Sequence, residues 1–448
     1  MHNSKVKWLK AIIFLIIFIM INSMLVFIIV PKGNYSRMTI REMHAQSKNI
    51  DVAFIGASLS QKDINPYIMD KELGCNTFDY AFSGQSYAGT YYSLKELFNY
   101  HNPKLVILTT DQANYTCKEE RTIAYLSVAL YIESFWNKIQ YYCTSTKDGS
   151  YLDRLFAWRG YHVKSIPNAI NNIYGKLDPS YIYYPQTGQV ESYSKNNVGY
   201  IGKGAEIIDP NDPKTINYDK LGKTDQYSID MNNIQEENVE YLRSISKLCK
   251  ENDCKLILLN TPFPTYEVFR IKDFFEFHNE VAKIAKELEI EYYDCTLIKP
   301  ELFKSEENYF FDRIHFNSNG QEVFSKSLAD FLKLREKGED MNKYFYTPEE
   351  YYASINYITN TWFTWKKDND KLSLVADAFY GTNVVPEYQF ILIDSQTGKE
   401  EIIREYNTNP EFTFKKLSLS KYKIRVNARE VGSNNEFKHY YEEEFGAK

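Results

Sequence analysis

The sequence lacks the marks of a metal site, a redox centre or a nucleic-acid surface. Its 448 residues hold six cysteines, Cys75, Cys117, Cys143, Cys249, Cys254 and Cys295. None forms a CxxC pair, which argues against structural zinc, and so few cysteines in so long a chain make no disulfide framework. One or two bridges stay open to an exported chain, with a pairing that the spacing does not assign. No His, Asp and Glu cluster has ligand spacing, so neither a metal nor a cofactor is expected. Gly202-Lys203-Gly204 lacks the third glycine, the preceding strand and the following helix of a dinucleotide fingerprint. Basic excess is missing too. The 53 Lys and Arg face 59 Asp and Glu for a net charge of -6. A general nucleic-acid binder needs a basic surface that displaces counterions. Only one apolar run is long enough to cross a membrane.

What is present reads as a folded chain of two or three domains, at about 100–200 residues each. Apolar residues are 44% and charged residues 25%, the balance of a globular protein with a real core. Tyrosine is abundant at 38, beside 28 Phe and 5 Trp. That abundance fits either sugar-stacking surfaces or a compositional bias.

Residues 1–10 read as a cytoplasmic tail carrying Lys5, Lys7 and Lys10. Residues 11–30 are an uncharged run with Asn22 and Ser23 as its polar members. As a helix this run spans about 30 Å, the thickness of a bilayer core. Pro31 and Lys32 close it. No small residues precede a cleavage site at Phe27-Ile28-Ile29-Val30, so an uncleaved single-pass anchor in the cell membrane is expected. Lys32, Arg37 and Arg41 nearly balance the three early lysines, and the short tail favours a cytoplasmic start with an exported body.

Residues 31–48 read as a polar stalk. After it, strands alternate with helices over 49–338. Strands are expected at 50–55, 76–82, 104–108, 255–259 and 289–293, and helices near 66–73, 87–100, 233–251, 270–287 and 319–336. This alternation predicts a parallel sheet covered by helices on both faces, with active groups at the carboxyl ends of the strands. Residues 115–232 interrupt it as an insertion over that rim, helical near 118–140 and 151–174 and irregular from 176 to 230. Residues 345–448 alternate apolar and polar in short runs such as Leu372–Phe379, Tyr388–Ile393 and Tyr422–Asn427. They predict a small antiparallel β-sandwich that binds glycan, docks a partner or caps the first domain.

Three separated pieces carry chemistry. Ser58 follows the first strand in Gly56-Ala57-Ser58, a turn that can raise a hydroxyl off the sheet and offer backbone N–H groups to an oxyanion. Serines at such turns are more often helix caps. Asp312 stands three residues before His315, close enough for the acid to orient the base that a serine nucleophile needs. His101, His162, His278 and His439 show no comparable partner. Gly84 ends the second strand, where a backbone N–H can approach a substrate oxygen closely.

Together these blocks resemble the SGNH (GDSL-like) hydrolase superfamily over about residues 49–337. Gly56-Ala57-Ser58 matches its nucleophile block, Gly84 its oxyanion glycine, and Asp312 with His315 its final Asp-x-x-His before a closing helix. The resemblance implies an α/β fold, a flavodoxin-like parallel sheet flanked by helices (SGNH-type). The family's third block usually supplies an oxyanion asparagine; here that place reads Thr109-Thr110-Asp111-Gln112, with Gln112, Asn114 or Gln85 as substitute donors. With its anchor, the chain is similar to the anchored SGNH-like proteins of teichoic acid D-alanylation and of alginate and cellulose O-acetylation. Those imply a polysaccharide or teichoic acid acceptor and a membrane-bound O-acyltransferase partner. The expected activity is O-acyl transfer through Ser58; ester hydrolysis by the same triad and a non-catalytic polymer-binding scaffold are the alternatives.

Overall fold

The computed structural model describes residues 2–31, 35–147, 149–162, 165–177, 199–218, 221–368, 371–415 and 421–444. Helix α1 (His2–Ile29) carries the apolar run, and the stretch Val6–Ile29 is long and apolar enough to cross a membrane, with a mean hydropathy of 3.1. Strands β1 (Val52–Gly56), β2 (Thr77–Ala81) and β3 (Leu105–Thr109) follow; a hairpin of β4 (Gly199–Gly202) and β5 (Ala205–Ile207) precedes β6 (Lys255–Asn260) and β7 (Glu291–Asp294). Five strands pair in parallel in the order β2-β1-β3-β6-β7. This is the flavodoxin-like order, whose switch point lies between β1 and β3.

Side chains alternate between two apolar layers, because successive residues of a strand face opposite ways. Ala53, Ile55, Val106 and Leu108 pack one layer, under the helices Tyr87–Tyr100 and Glu236–Glu251. Val52, Phe54, Ile107 and Leu259 pack the other, under Pro66–Leu73 and Ser318–Glu336. Each fully buried Phe or Leu there contributes about 2 kcal/mol. Local signals set the helix ends. Asn65 accepts the N–H of Tyr67 at 3.1 Å, Pro66 takes the first helical position, and Gly74 closes the helix in the left-handed region.

The segment expected as a stalk is instead a helix, α2 (Tyr35–Ala45), packed on the body. Ile40 and Met43 are fully buried in the first layer. The segment looks polar in sequence although it packs inward, and its buried Glu42 pairs with the β4–β5 hairpin, accepting the Lys203 N–H at 2.9 Å and the Tyr200 hydroxyl. The insertion is helical at Thr122–Ala129, Phe135–Ser145, Tyr151–Leu155, Ala157–Tyr161 and Ile166–Leu177. Part of its expected irregular stretch, 178–198 and 219–220, lies outside the described residues.

The carboxyl-terminal region forms two antiparallel sheets from β8 (Ile358–Asp368), β9 (Lys371–Tyr380), β10 (Pro386–Asp394), β11 (Glu400–Asn407), β12 (Glu411–Lys415), β13 (Tyr422–Glu430) and β14 (His439–Glu444). The orders are β12-β9-β8 and β11-β10-β13-β14. Phe363 of one sheet meets Phe390 and Tyr441 of the other at ring distances of 6.2 and 5.4 Å. Strand β8 breaks the expected alternation because Ile358–Phe363 is buried on both faces. One face fills the sandwich. From the other, Trp362 reaches Phe379 at 4.8 Å, and both join the second apolar layer of the body. None of the six cysteines is disulfide-bonded.

Candidate active site

Strand β1 ends at Gly56, where φ is +131° and a side chain would collide with the Thr109 hydroxyl and carbonyl of β3. Only glycine permits that close turn. The next helix, Ser58–Asp63, has Ala57 at its N-cap with no side-chain cap. Ser58 is therefore not the cap, and its hydroxyl is committed elsewhere: Oγ lies 2.8 Å from His315 Nε2.

The His315 ring is held from its other side. Nδ1 lies 2.9 Å from Asp312 Oδ2 and 3.1 Å from Oδ1. With the Nδ1 proton donated to the carboxylate, Nε2 is the acceptor for the serine proton. Asp312 Oδ1 also accepts the N–H groups of Ile314 and His315 at 3.0 and 2.9 Å. Burial alone would raise this carboxyl, but the hydrogen bond and charge of His315, with those two N–H groups, hold it at about 2. The loop is pinned at both ends. Tyr218 donates to the Asp312 carbonyl at 3.0 Å, and Asp63 accepts the Phe316 N–H at 2.9 Å and the Thr261 hydroxyl at 2.8 Å. Burial pushes the Asp63 carboxyl up to about 7 against the opposing charge of His315.

Gly84 lies beyond the end of β2, the strand paired with β1, at φ +72°, and the Arg121 guanidinium occupies the space a side chain would need. The other expected donors are placed differently. Gln85 is buried, its amide nitrogen bound to Ser93 Oγ at 2.7 Å. Asn114 accepts the Asp111 N–H at 2.9 Å and donates to the Gln85 carbonyl at 3.3 Å. Both amides are thus spent on the fold. Gln112 lines a neighbouring cavity. Asp111 caps the helix Gln112–Thr116, accepting the Asn114 N–H at 3.1 Å. Burial raises its carboxyl against those backbone bonds and the charge of His315.

That cavity, of 190 Å³, opens beside the triad loop with Asp111, Ile314, Phe263, Phe274 and Val281 in its wall. An apolar cavity of about 150 Å³ holds benzene, so there is room for a compact organic group. His278 also lines it and corrects the sequence expectation that it has no acid partner: its Nδ1 lies 2.9 Å from Asp294 Oδ2. The two are sixteen residues apart and meet only because a helix lies across β7. Asp111 stands in the third-block stretch without being an expected site residue, and Asp63 and Arg121 belong to no motif. Only burial around Ile64 and the packing of Arg121 on Gly84 single them out. Among the described residues no three His, Cys, Asp or Glu side chains converge as metal ligands.

No family model matches the sequence, and no curated protein matches it. Solved structures do. The chain is similar to a GDSL-like lipase from Bacteroides thetaiotaomicron VPI-5482, at 11% identity over 69% of this chain and 100% of the other, with a TM-score of 0.31. It is also similar to an acetylxylan esterase from Geobacillus stearothermophilus, at 10% identity over 66% and 98% with a TM-score of 0.30. A third is a psychrotrophic esterase from Pseudoalteromonas sp., at 10% identity over 64% and 99% with a TM-score of 0.28.

Proposed function

We propose that the chain is a membrane-anchored, serine-dependent O-acyltransferase that moves an acetyl group onto a cell-surface polysaccharide or teichoic acid. The observation that carries this is the unbroken line from Ser58 Oγ through the His315 ring to Asp312. His315 Nε2 takes the Ser58 proton as Oγ adds to the acyl carbonyl, and Asp312 stabilises the imidazolium. The Gly84 N–H and the free N–H groups at the start of helix Ser58–Asp63 receive the oxyanion. His315 then returns the proton to the departing donor group, leaving the acyl ester on Ser58. An acceptor hydroxyl gives its proton to His315 Nε2 and adds to that ester. Collapse releases the acylated polymer and returns the proton to Ser58. A membrane-bound O-acyltransferase would supply the donor.

Contacts of α1 with the folded body favour an anchor that stays attached. Trp158 Nε1 donates to Asn22 Oδ1 at 3.0 Å, and the Asn172 amide donates to the Ile28 and Ile29 carbonyls at 3.2 and 3.1 Å. A cleaved leader would forfeit all three.

The test treats the full chain with a fluorophosphonate and reads the adduct by peptide mass, then supplies an activated acetyl ester with and without a polysaccharide acceptor. One adduct at Ser58, absent in His315→Ala, together with acetylated sugar, is the expected result. Free acetate alone would make the chain an esterase. No adduct from folded protein would remove the catalytic reading.

A further inference from the structure

We propose that residues Tyr151–Leu177 form a wedge that sits in the outer leaflet of the bilayer alongside α1. This rests on α1 being a retained anchor. The helix Ile166–Leu177 shows a stripe of Ile166, Ile170, Tyr174 and Leu177, spaced to fall on one helical face. All four are exposed, Ile166 at 76% and Tyr174 at 71%. Leu152 and Leu155, on the helix Tyr151–Leu155, are exposed as well. Outside α1, seven of the eighteen exposed large hydrophobic residues described fall within 151–177. An exposed apolar stripe along a helix face marks an interaction site.

Its occupant follows from what the other side of the same segment touches. Asn172 and Lys176 bind the last carbonyls of α1, those of Ile28 and Ile29 and those of Val26 and Phe27, with Lys176 Nζ 2.5 Å from the Phe27 oxygen. Those of Phe27, Ile28 and Ile29 are carbonyls a helix leaves unpaired at its end, while that of Val26 also accepts the Val30 N–H at 3.0 Å. Their position fixes helix Ile166–Leu177 at the level where α1 leaves the membrane. The preceding helices reach deeper. Trp158 meets Asn22, a polar residue of the apolar run, and Phe156 meets Phe18 at a ring distance of 5.9 Å. Asn22 lies seven residues inside Ile29, about 10 Å along the helix. Interfacial helices sink about 5–10 Å into the headgroup and acyl boundary, so this segment has the depth of a membrane-embedded element. Its charges fit the placement. Arg154 turns inward to the Ser145 carbonyl at 2.6 Å, and Arg159 pairs with Asp153 at 2.9 Å. Lipid is thus the surroundings that α1 itself brings to the exposed stripe.

The wedge is joined to the candidate site. Gly160 lies against Leu126 and Thr122 so closely that a side chain there would collide with Leu126. Arg121, next to Thr122, covers Gly84. A wedge seated in the leaflet therefore holds the rim bearing Ser58 at the membrane face, where an acyl donor delivered through the bilayer emerges.

The test uses the full chain in its native membrane, with photoreactive p-benzoylphenylalanine placed singly at Ile166 or Tyr174, at Phe14 in α1, and at exposed Val385 in the sandwich. Illumination is followed by mass analysis for lipid adducts, with retained fluorophosphonate labelling as the check on folding. Adduct yields at Ile166 and Tyr174 comparable with Phe14 and about tenfold above Val385 are expected for an embedded surface. Lipid adducts at Phe14 but not at Ile166 and Tyr174 would refute the wedge and leave the anchor standing. Protein adducts at those two positions would also refute it, replacing lipid with a protein partner. No lipid adduct at Phe14 would remove the anchor and the wedge with it.

Discussion

Two histidine–aspartate pairs lie at the carboxyl ends of the same sheet, and only one of them faces a serine hydroxyl. His315 and Asp312 share a short loop, and the second ring nitrogen meets Ser58 Oγ at 2.8 Å. His278 and Asp294 come from a helix and from β7, and their ring–carboxylate distance is the same 2.9 Å. Asp294 is almost wholly buried and bound by the Asn260 amide at 3.0 Å and the Thr296 N–H at 2.9 Å. Burial would raise it, yet the hydrogen bond and charge of His278 hold it below the usual carboxylate range. The second ring nitrogen of His278 has no serine hydroxyl in reach among the described hydrogen bonds. An oriented imidazole is thus common to both pairs. What separates them is the strand each stands beside: β1 ends in a tight glycine turn that lifts a serine, and β7 does not.

The widest separation between the pairs comes from removing the bases. Ser58→Ala and His315→Ala are each expected to lower acetyl-ester turnover by about ten-thousandfold or more, because triad members act as a unit. His278→Gln is expected to leave fluorophosphonate labelling of Ser58 within about twofold, since its ring touches no reacting atom. Stopped-flow labelling of the purified full chain reads both.

The acids come next. Asp312→Asn removes the acceptor that fixes the His315 tautomer and is expected to cost about a thousandfold or more in turnover. Asp294→Asn is expected to spare turnover and to destabilise the fold by about 2 kcal/mol, because a buried carboxylate that accepts from His278, Asn260 and Thr296 loses its charge-assisted hydrogen bonds. Denaturant unfolding followed by circular dichroism measures that loss.

Gly84→Ala probes the rim beside Ser58. The left-handed backbone and the Arg121 contact both oppose a side chain, and turnover is expected to fall about a hundredfold if the Gly84 N–H meets the oxyanion. Unchanged turnover in a folded variant would assign the oxyanion to other donors.

The smallest expected effect is a pH slope. Asp63 is raised to about 7 in the folded chain, so its contribution to stability is present below its unfolded value and is lost as pH rises through 7. Stability is expected to fall with pH between about 5 and 7 by up to about 1 kcal/mol per unit, and Asp63→Asn to flatten that slope. Asp312 has the opposite sign. Held at about 2, it contributes stability above its unfolded value that is lost as pH falls through 2. Unfolding midpoints measured across both windows separate the two.

Much of the site was legible because its parts carry local signatures. A serine behind a β-run and Gly56, a glycine closing the second strand, and Asp-x-x-His before a helix each follow from what a turn or short loop can place. Gln85 and Asn114 were not legible as structural amides. Whether an amide faces a rim or a neighbouring backbone depends on residues such as Ser93 and Asp111, which sequence does not set beside it. The helix α2 was misread for a similar reason: its inward Glu42 finds its partners in a hairpin more than 150 residues away. Strand β8 escaped the alternation rule because both its faces are buried.

The sequence by itself determined the apolar run, the strand–helix alternation and the order of the chemical blocks, because hydrophobic periodicity and turn residues act over a few positions. Tertiary structure alone decided that Ser58 and His315, separated by 257 residues, come within a hydrogen bond, and that His278 gains an acid but, among the described residues, no serine hydroxyl. It also decided that the insertion folds back along α1 with its apolar stripe outward. Each of these depends on which distant segments share a sheet edge or a helix end, and the buried surface of the whole chain selects that arrangement.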